Sequence, residues 1–299
     1  EDIGKKISVE DYNKACREAV MRYTGVWNDL TEKMGYWVDM DDPYITYENK
    51  YIESVWWLLR NLYDKGLMYK GYTIQPYSPA AGTGLSSHEL NQPGTYQDVK
   101  DTSAIAKFKI KDAGLEIESD LPQYFLAWTT TPWTLPSNTA LAVGKKIEYI
   151  VFKTNDRYSG NPYVGIIAKE RFSYYFKYAS PELGVYEKEG KAEEKVEVIA
   201  VKTGADLVGM RYEQLLDYTL PYEDADKAFQ VIAGDFVTTE DGTGIVHLAP
   251  TFGADDARVA KEAGIPPLLV LDENENPVPL VDLQGRFRPE MKELAGKYV

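Results

Sequence analysis

The sequence predicts an α+β chain, with a helical first part and then a barrel-like assembly of short strands. Three observations predict it. Apolar residues recur at helical spacing through residues 1–65. A stretch rich in Pro, Gly and Ser, PYSPAAGTGLSSHELNQPGTYQD, then breaks the pattern. Beyond it come short β-branched and aromatic runs bounded by turns, with few helices between them, as in a closed or half-closed barrel.

The elements follow in order. Ser8 with Asp11 three residues on makes a capping-box-like start. Tyr12, Ala15, Cys16, Ala19, Val20, Tyr23, Trp27 and Leu30 continue from it at helical spacing, which places Cys16 in a core. A second helix is predicted from near Thr46, carrying Tyr51, Ile52, Val55, Trp56, Leu59, Leu62 and Tyr63, and stopping at Gly66. Residues 71–98 read as an ordered crossing segment, and a domain boundary is set at 98. Ala104, Ala106, Phe108 and Ile110 alternate as a strand. Further strands are predicted at Tyr124–Thr130, Ile147–Phe152, Tyr163–Ala168, Lys195–Val201 and Gly244–Leu248. Short helices are predicted at Ala205–Gly209 and Ala254–Gly264. EKEGKAEE, residues 187–194, reads as a solvated hairpin or loop, and DENENP, residues 272–277, as a turn.

The totals exclude several classes. The 299 residues suffice for one large or two ordinary domains, and 44% hydrophobic with 27% charged content is ordinary for a soluble globular protein. The chain opens on Glu1 and is expected to be a fragment of something longer. No apolar run approaches the ~20 residues that span a bilayer, and no signal peptide is read, so no membrane partner and a cytoplasmic location are expected. The one cysteine rules out a disulfide framework and a cysteine zinc site. A net charge of −14 argues against wrapping a nucleic-acid backbone, which needs clustered Lys and Arg.

Two stretches concentrate chemistry. WTTTPWTLPSN, from Trp128 to Asn138, packs hydroxyls, an amide and a ring with no histidine, cysteine or carboxylate beside them. Alternation places Thr129 and Thr131 on one face and Thr130 on the other, unless Pro132 ends the strand first. The plain alternative is a strand ending in a Pro turn whose hydroxyls satisfy backbone groups. GTGIVHLAPTFGADD, from Gly242 to Asp256, runs from a Gly turn into a strand bearing His247. It then reaches Asp255 and Asp256 at a helix start, where free N–H groups and the dipole favour carboxylates. Such an Asp pair is usually a cap, and a lone histidine usually structural. A histidine at a strand end and carboxylates at the next helix start, however, commonly flank one cleft. His247, Asp255 and Asp256 could also ligate a metal, but there is no HxxxH or HxH spacing. Ser137 lacks a nucleophile-elbow context.

Together, WTTTPWTLPSN and GTGIVHLAPTFGADD resemble the editing domain of the isoleucyl-tRNA synthetase family, the insertion in the class I aminoacyl-tRNA synthetase core. The valyl and leucyl relatives carry Thr-Thr-Arg-Pro where this chain has Thr130-Thr131-Pro132-Trp133 after a further Thr. GYWVDMDDPYITYENKYIESVWWLL and YKGYTIQPYSPAAGTGLSSHEL resemble the same family, so the likeness covers most of the chain. It implies that residues 1–98 are a helical segment and stalk adjoining an incomplete synthetic core, and that 99–299 are an editing domain of the Val/Ile/Leu type. H-I-G-H and K-M-S-K-S are absent, so no ATP site is expected here, although the full-length enzyme would use ATP and Mg. The segment Tyr77 to Gly82 lacks the cysteines that bind zinc in many relatives, and no metal or other cofactor is expected.

The resemblance implies hydrolysis of the ester in Val-tRNA(Ile). The implied partners are the tRNA(Ile) CCA end carrying valine and the remaining synthetase domains. Asp256 matches the carboxylate that pairs with the substrate α-ammonium. Thr129, Thr130 and Thr131 match the run lining the amino-acid pocket and holding the terminal adenosine or the water. Asn138 matches an asparagine of that site, and His247 the histidine at the side-chain sieve. Trp133 is a pocket wall or a core residue, and Asp255 a cap. No general base is evident. A non-catalytic module docking the acceptor end and a metal-dependent hydrolase using His247 with the two aspartates stand as alternatives.

Overall fold

The structure, a computed structural model, describes residues 3–71, 73–111, 115, 117, 119–188 and 191–299. It contains two compact units, Glu1–Tyr72 and Thr73–Val299.

The first unit is helical. α1 spans Val9–Met21, α2 Thr24–Lys33 and α3 Asn49–Asp64. Ser8 caps α1, its Oγ accepting from the Asp11 N–H at 3.0 Å. Gly66, at φ +69°, closes α3 by donating its N–H to the Tyr63 carbonyl, a left-handed position that favours glycine. The apolar stripe expected as one helix is broken between Met21 and Thr24. Cys16 corrects the expectation of a core residue, because it is exposed. An amphipathic stripe is buried only where something packs on it, and none of the three helices has a buried residue.

The second unit opens with the two-stranded pair β1 (Tyr77–Ser78) and β2 (Thr83–Gly84). α4 (Ser87–Leu90) follows behind a capping box of Ser86 and Glu89. These residues group with the strand-rich unit, so the geometric division at 72/73 differs from the boundary read at 98.

Among the described residues, nine strands then form one sheet: β3 Ala104–Lys109, β4 Gln123–Thr129, β5 Ala140–Val143, β6 Glu148–Asn155, β7 Pro162–Ala168, β8 Gly184–Lys188, β9 Lys191–Thr203, β10 Gln230–Ala233 and β11 Ile245–Leu248. β4 is the branch point. β3 runs antiparallel along one side of it. On the other side β7 pairs in parallel with Gln123–Phe125, and β11 pairs in parallel at Trp128. The β11 branch continues through β5 to β10. Residues 209–213 then run between β10 and β3. Val231 donates to the Met210 carbonyl and Tyr212 to that of Phe229, while Glu213 donates to Lys109 and Lys111 to Arg211, all at 2.7–3.0 Å. The path β3, β4, β11, β5, β10 and back to β3 through 209–213 is a hydrogen-bonded ring, the barrel-like feature expected of the strand pattern. The β7 branch leads outward through β6 and β9 to β8. Glu189 and Gly190, at the tip of the charged hairpin expected there, lie outside the described residues.

Alternation along the strands explains the cores. Phe108, Phe125, Ala127, Leu141, Val143, Tyr212, Phe229, Val231 and Ile245 fill one cluster. Leu126, Ile150, Phe152 and Ile167 pack instead with Phe172 of α5 (Lys169–Tyr175). α6 (Gly204–Leu207) follows β9. α7 (Ala254–Glu262) lays Val259 and Ala260 against Ala140, Ala142 and Leu248. The last segment holds the pair β12 (Val270–Leu271) and β13 (Pro277–Val278) over a small cluster of Leu268, Val270, Leu280, Phe287 and Met291. Among the described residues, no helix is long and apolar enough to cross a membrane.

Candidate functional site at the ends of two parallel strands

β4 and β11 run in parallel with Trp128 opposite Val246. Thr129, which ends β4, and His247, near the end of β11, therefore reach the same edge of the sheet. Both chemistry-bearing stretches meet there.

Pro132 does end the strand first. Residues 132–137 form a 3-10 turn with Thr131 at its cap. The turn still brings two hydroxyls together, with Thr129 Oγ1 3.4 Å from Thr131 Oγ1 and accepting from the Thr131 N–H at 3.1 Å. Thr129 is buried, whereas Thr130 and Thr131 are exposed. Thr130 and Thr131 thus lie at the surface, and the Thr129 hydroxyl supports the turn.

His247 is buried with both ring nitrogens engaged. The Asn138 Nδ2 donates to the Nδ1 at 2.9 Å, and Thr134 Oγ1 lies 2.9 Å from the Nε2. The amide orientation follows from its surroundings, because the carbonyls of Ala140 (2.8 Å) and Leu248 (3.3 Å) also face Nδ2, whose two hydrogens are shared among these acceptors. An NH₂ facing Nδ1 makes Nδ1 the acceptor, so the ring proton sits on Nε2 and is donated to Thr134. Thr134 in turn donates to the Thr131 carbonyl at 2.8 Å. Burial pulls His247 down to about 4, so the ring is neutral at pH 7.

Asp256 sits in the first turn of α7 and is half-buried. Its Oδ2 accepts from the Ala249 N–H at 2.8 Å, two residues beyond His247. Burial raises its pKa, opposed by that hydrogen bond, with Asp255 adding repulsion. Among the described residues no lysine, arginine or histidine pairs with it. Asp255 points elsewhere, exposed and 3.5 Å from Arg258. Trp133 is half-buried against the cluster under β12 and β13, its ring 4.9 Å from Phe252 in an edge-on contact. Its ring partner belongs to the loop leading to Asp256.

Three residues of this arrangement escaped the sequence reading. Thr134 lies inside WTTTPWTLPSN without being separated from its neighbours. Gly253 precedes Asp256, and a Cβ there would lie 2.6 Å from the Asp256 Cγ. Tyr212 donates to the Asn138 Oδ1 at 2.6 Å across 74 residues, and no local pattern could have linked them. Among the described residues no group of three His, Cys, Asp or Glu side chains gathers to hold a metal ion.

Comparison with known proteins gives the family of the chain. The family of tRNA synthetases class I (I, L, M and V) matches residues 1–251. The isoleucine–tRNA ligase of Cytophaga hutchinsonii is 59% identical over 300 residues, covering 100% of this chain and 26% of that protein. That of Bacteroides thetaiotaomicron is 58% identical over 298 residues, covering 96% and 26%. The chain therefore spans about a quarter of the length of these curated relatives. A solved structure of the P. knowlesi cytosolic leucyl-tRNA synthetase editing domain is 16% identical, covers 54% of this chain and 62% of that one, and superposes with a TM-score of 0.40.

Proposed function

Because the chain belongs to the class I tRNA synthetases of the I, L, M and V group, we propose that its strand-rich unit hydrolyses the ester of valine mischarged onto tRNA(Ile). The observation that carries this reading is Asp256. A half-buried carboxylate held by one N–H and lacking a cationic partner costs desolvation that a bound ammonium would offset. The α-ammonium of an aminoacyl ester is such a group.

The rest of the site suits an ester that is already activated. It offers hydroxyls and backbone groups to orient a substrate and a water. Its one histidine is neutral with both nitrogens occupied, which makes it a poor general base and a poor metal ligand. His247 instead supplies a fixed wall beside the threonine turn, where an added methylene would clash. Such a second sieve has a purpose. One methylene is worth only about 1–3 kcal/mol in an apolar pocket, a general figure for which valine against isoleucine is the standard illustration rather than one obtained from this chain. The partners of this reading are the single-stranded CCA end carrying valine and the remaining synthetase domains in the cytoplasm. Entry of a few terminal nucleotides alone reconciles it with the acidic charge of −14.

The test is deacylation of Val-tRNA(Ile) by Asp256→Ala. A charge-assisted hydrogen bond lost from the transition state lowers the rate roughly 10- to 100-fold. Full activity in that variant would sink the assignment. CCA-end binding without turnover by the parent chain would favour a docking module.

A further inference from the structure

Tyr212 lies outside both chemistry-bearing stretches, yet it touches the polar set at their junction. It sits on the 209–213 segment that closes the strand ring, with its N–H bonded to the Phe229 carbonyl and its Cα opposite Ile110. Its ring is fully buried, edge-on to Phe108 at 5.4 Å and to Phe229 at 6.2 Å. At the end of that apolar sleeve the phenol reaches the Asn138 Oδ1 at 2.6 Å.

The bonds beyond it run in one direction. The Tyr212 O–H donates to Asn138 Oδ1, Asn138 Nδ2 donates to His247 Nδ1, His247 Nε2–H donates to Thr134 Oγ1, and Thr134 O–H donates to the Thr131 carbonyl. Between Tyr212 and the Thr131 carbonyl, each group accepts from one neighbour and donates to the next. Reversing one bond would leave a buried donor facing a donor, or an acceptor facing an acceptor, at about 1–3 kcal/mol each. Tyr212 is the chain's entry point and the only member carried by the ring-closing segment.

We propose that Tyr212 is a positioning residue for the hydrolytic site, holding the Asn138 amide at its Oδ1 while the Ala140 and Leu248 carbonyls hold its Nδ2, so that His247 stays in its Nε2–H form and the turn carrying Thr131 is fixed. The proposal rests on the hydrolytic reading for its consequence in rate. Its structural content, the direction of the hydrogen-bond chain, stands apart from that reading.

The experiment is nitrogen NMR of the whole chain labelled at histidine. With only two histidines, His247 and His88, the signals are assigned by one His88→Gln control. The parent is expected to show His247 with Nδ1 unprotonated and Nε2 protonated at pH 7. In Tyr212→Phe the two nitrogen signals move toward each other as the tautomers mix, and the rate constant for Val-tRNA(Ile) hydrolysis falls about tenfold with KM little changed. Protonated Nδ1 in the parent, or unaltered His247 signals in a folded Tyr212→Phe, overturns the proposal. Should Tyr212→Phe not fold, 3-fluorotyrosine at 212 keeps the ring and hydroxyl while strengthening its donation. A shift of the His247 Nδ1 signal then supports the chain of bonds, and an unmoved signal overturns it. A parent that hydrolyses nothing refutes the hydrolytic reading, and the tautomer measurement still decides the positioning role.

Discussion

At the scale of single residues, the two titratable groups of the site carry opposite signs. His247 is held down to about 4 by burial, from an ordinary 6.5. The unfolded chain takes up that proton first as pH falls. The stability due to His247 is therefore whole above pH 6.5 and is lost progressively down to about 4, by about 3 kcal/mol in all. Urea denaturation at pH 7 and pH 4.5, in the parent and in His247→Asn, measures it, and the variant should lose less stability across that interval. Asp256 is raised, so its contribution is present below the ordinary aspartate range and is lost as pH rises through the folded value. Asp256→Asn keeps an acceptor for the Ala249 N–H and removes the unpaired charge. It should leave the fold as stable or more stable at pH 7 while valine release falls at least tenfold, which a denaturation curve beside a deacylation assay will test. Cys16 illustrates the limit of reading single residues. Its stripe is legible, but nothing in a stripe says whether a partner surface covers it.

At the scale of elements, the long strands were legible because β-branched and aromatic residues run together between turns, as YIVF in β6 and YVGII in β7. β5 and β10 were not. ALAV and QVIA are four residues long and buried for most of their length, with too little alternation to separate from a turn or helix. α5 was hidden because KERFSYY is aromatic and short, and it is a helix through the packing of Phe172 rather than through propensity. The site was legible as two motifs, and their meeting was not, since it depends on β4 and β11 pairing in parallel over about 120 residues of chain. Gly253 tests the α7 start. Its φ of −100° suits any residue, so only space is at issue. Gly253→Ala would put a methyl 2.7 Å from Asp256 Oδ2 and push the carboxylate off the Ala249 N–H. Valine release should fall about tenfold, with stability changed by no more than about 1 kcal/mol in thermal unfolding. Unchanged release would show that the carboxylate need not sit at Ala249.

At the scale of the whole molecule, a ring of strands presents a neutral histidine, a turn of hydroxyls and an unpaired carboxylate at one edge, and the proposed function requires that these suffice to hydrolyse an activated ester. It follows that EDTA should leave valine release unchanged, because both His247 nitrogens are already occupied within the protein. Loss of activity with chelator, restored by a divalent ion, would overturn that part. The most direct test of the central claim is paired deacylation, in which Val-tRNA(Ile) and Ile-tRNA(Ile) are incubated separately with this chain at equal concentrations. Valine is expected to be released and isoleucine retained, and equal release of both amino acids, or of isoleucine alone, would refute the proposed function.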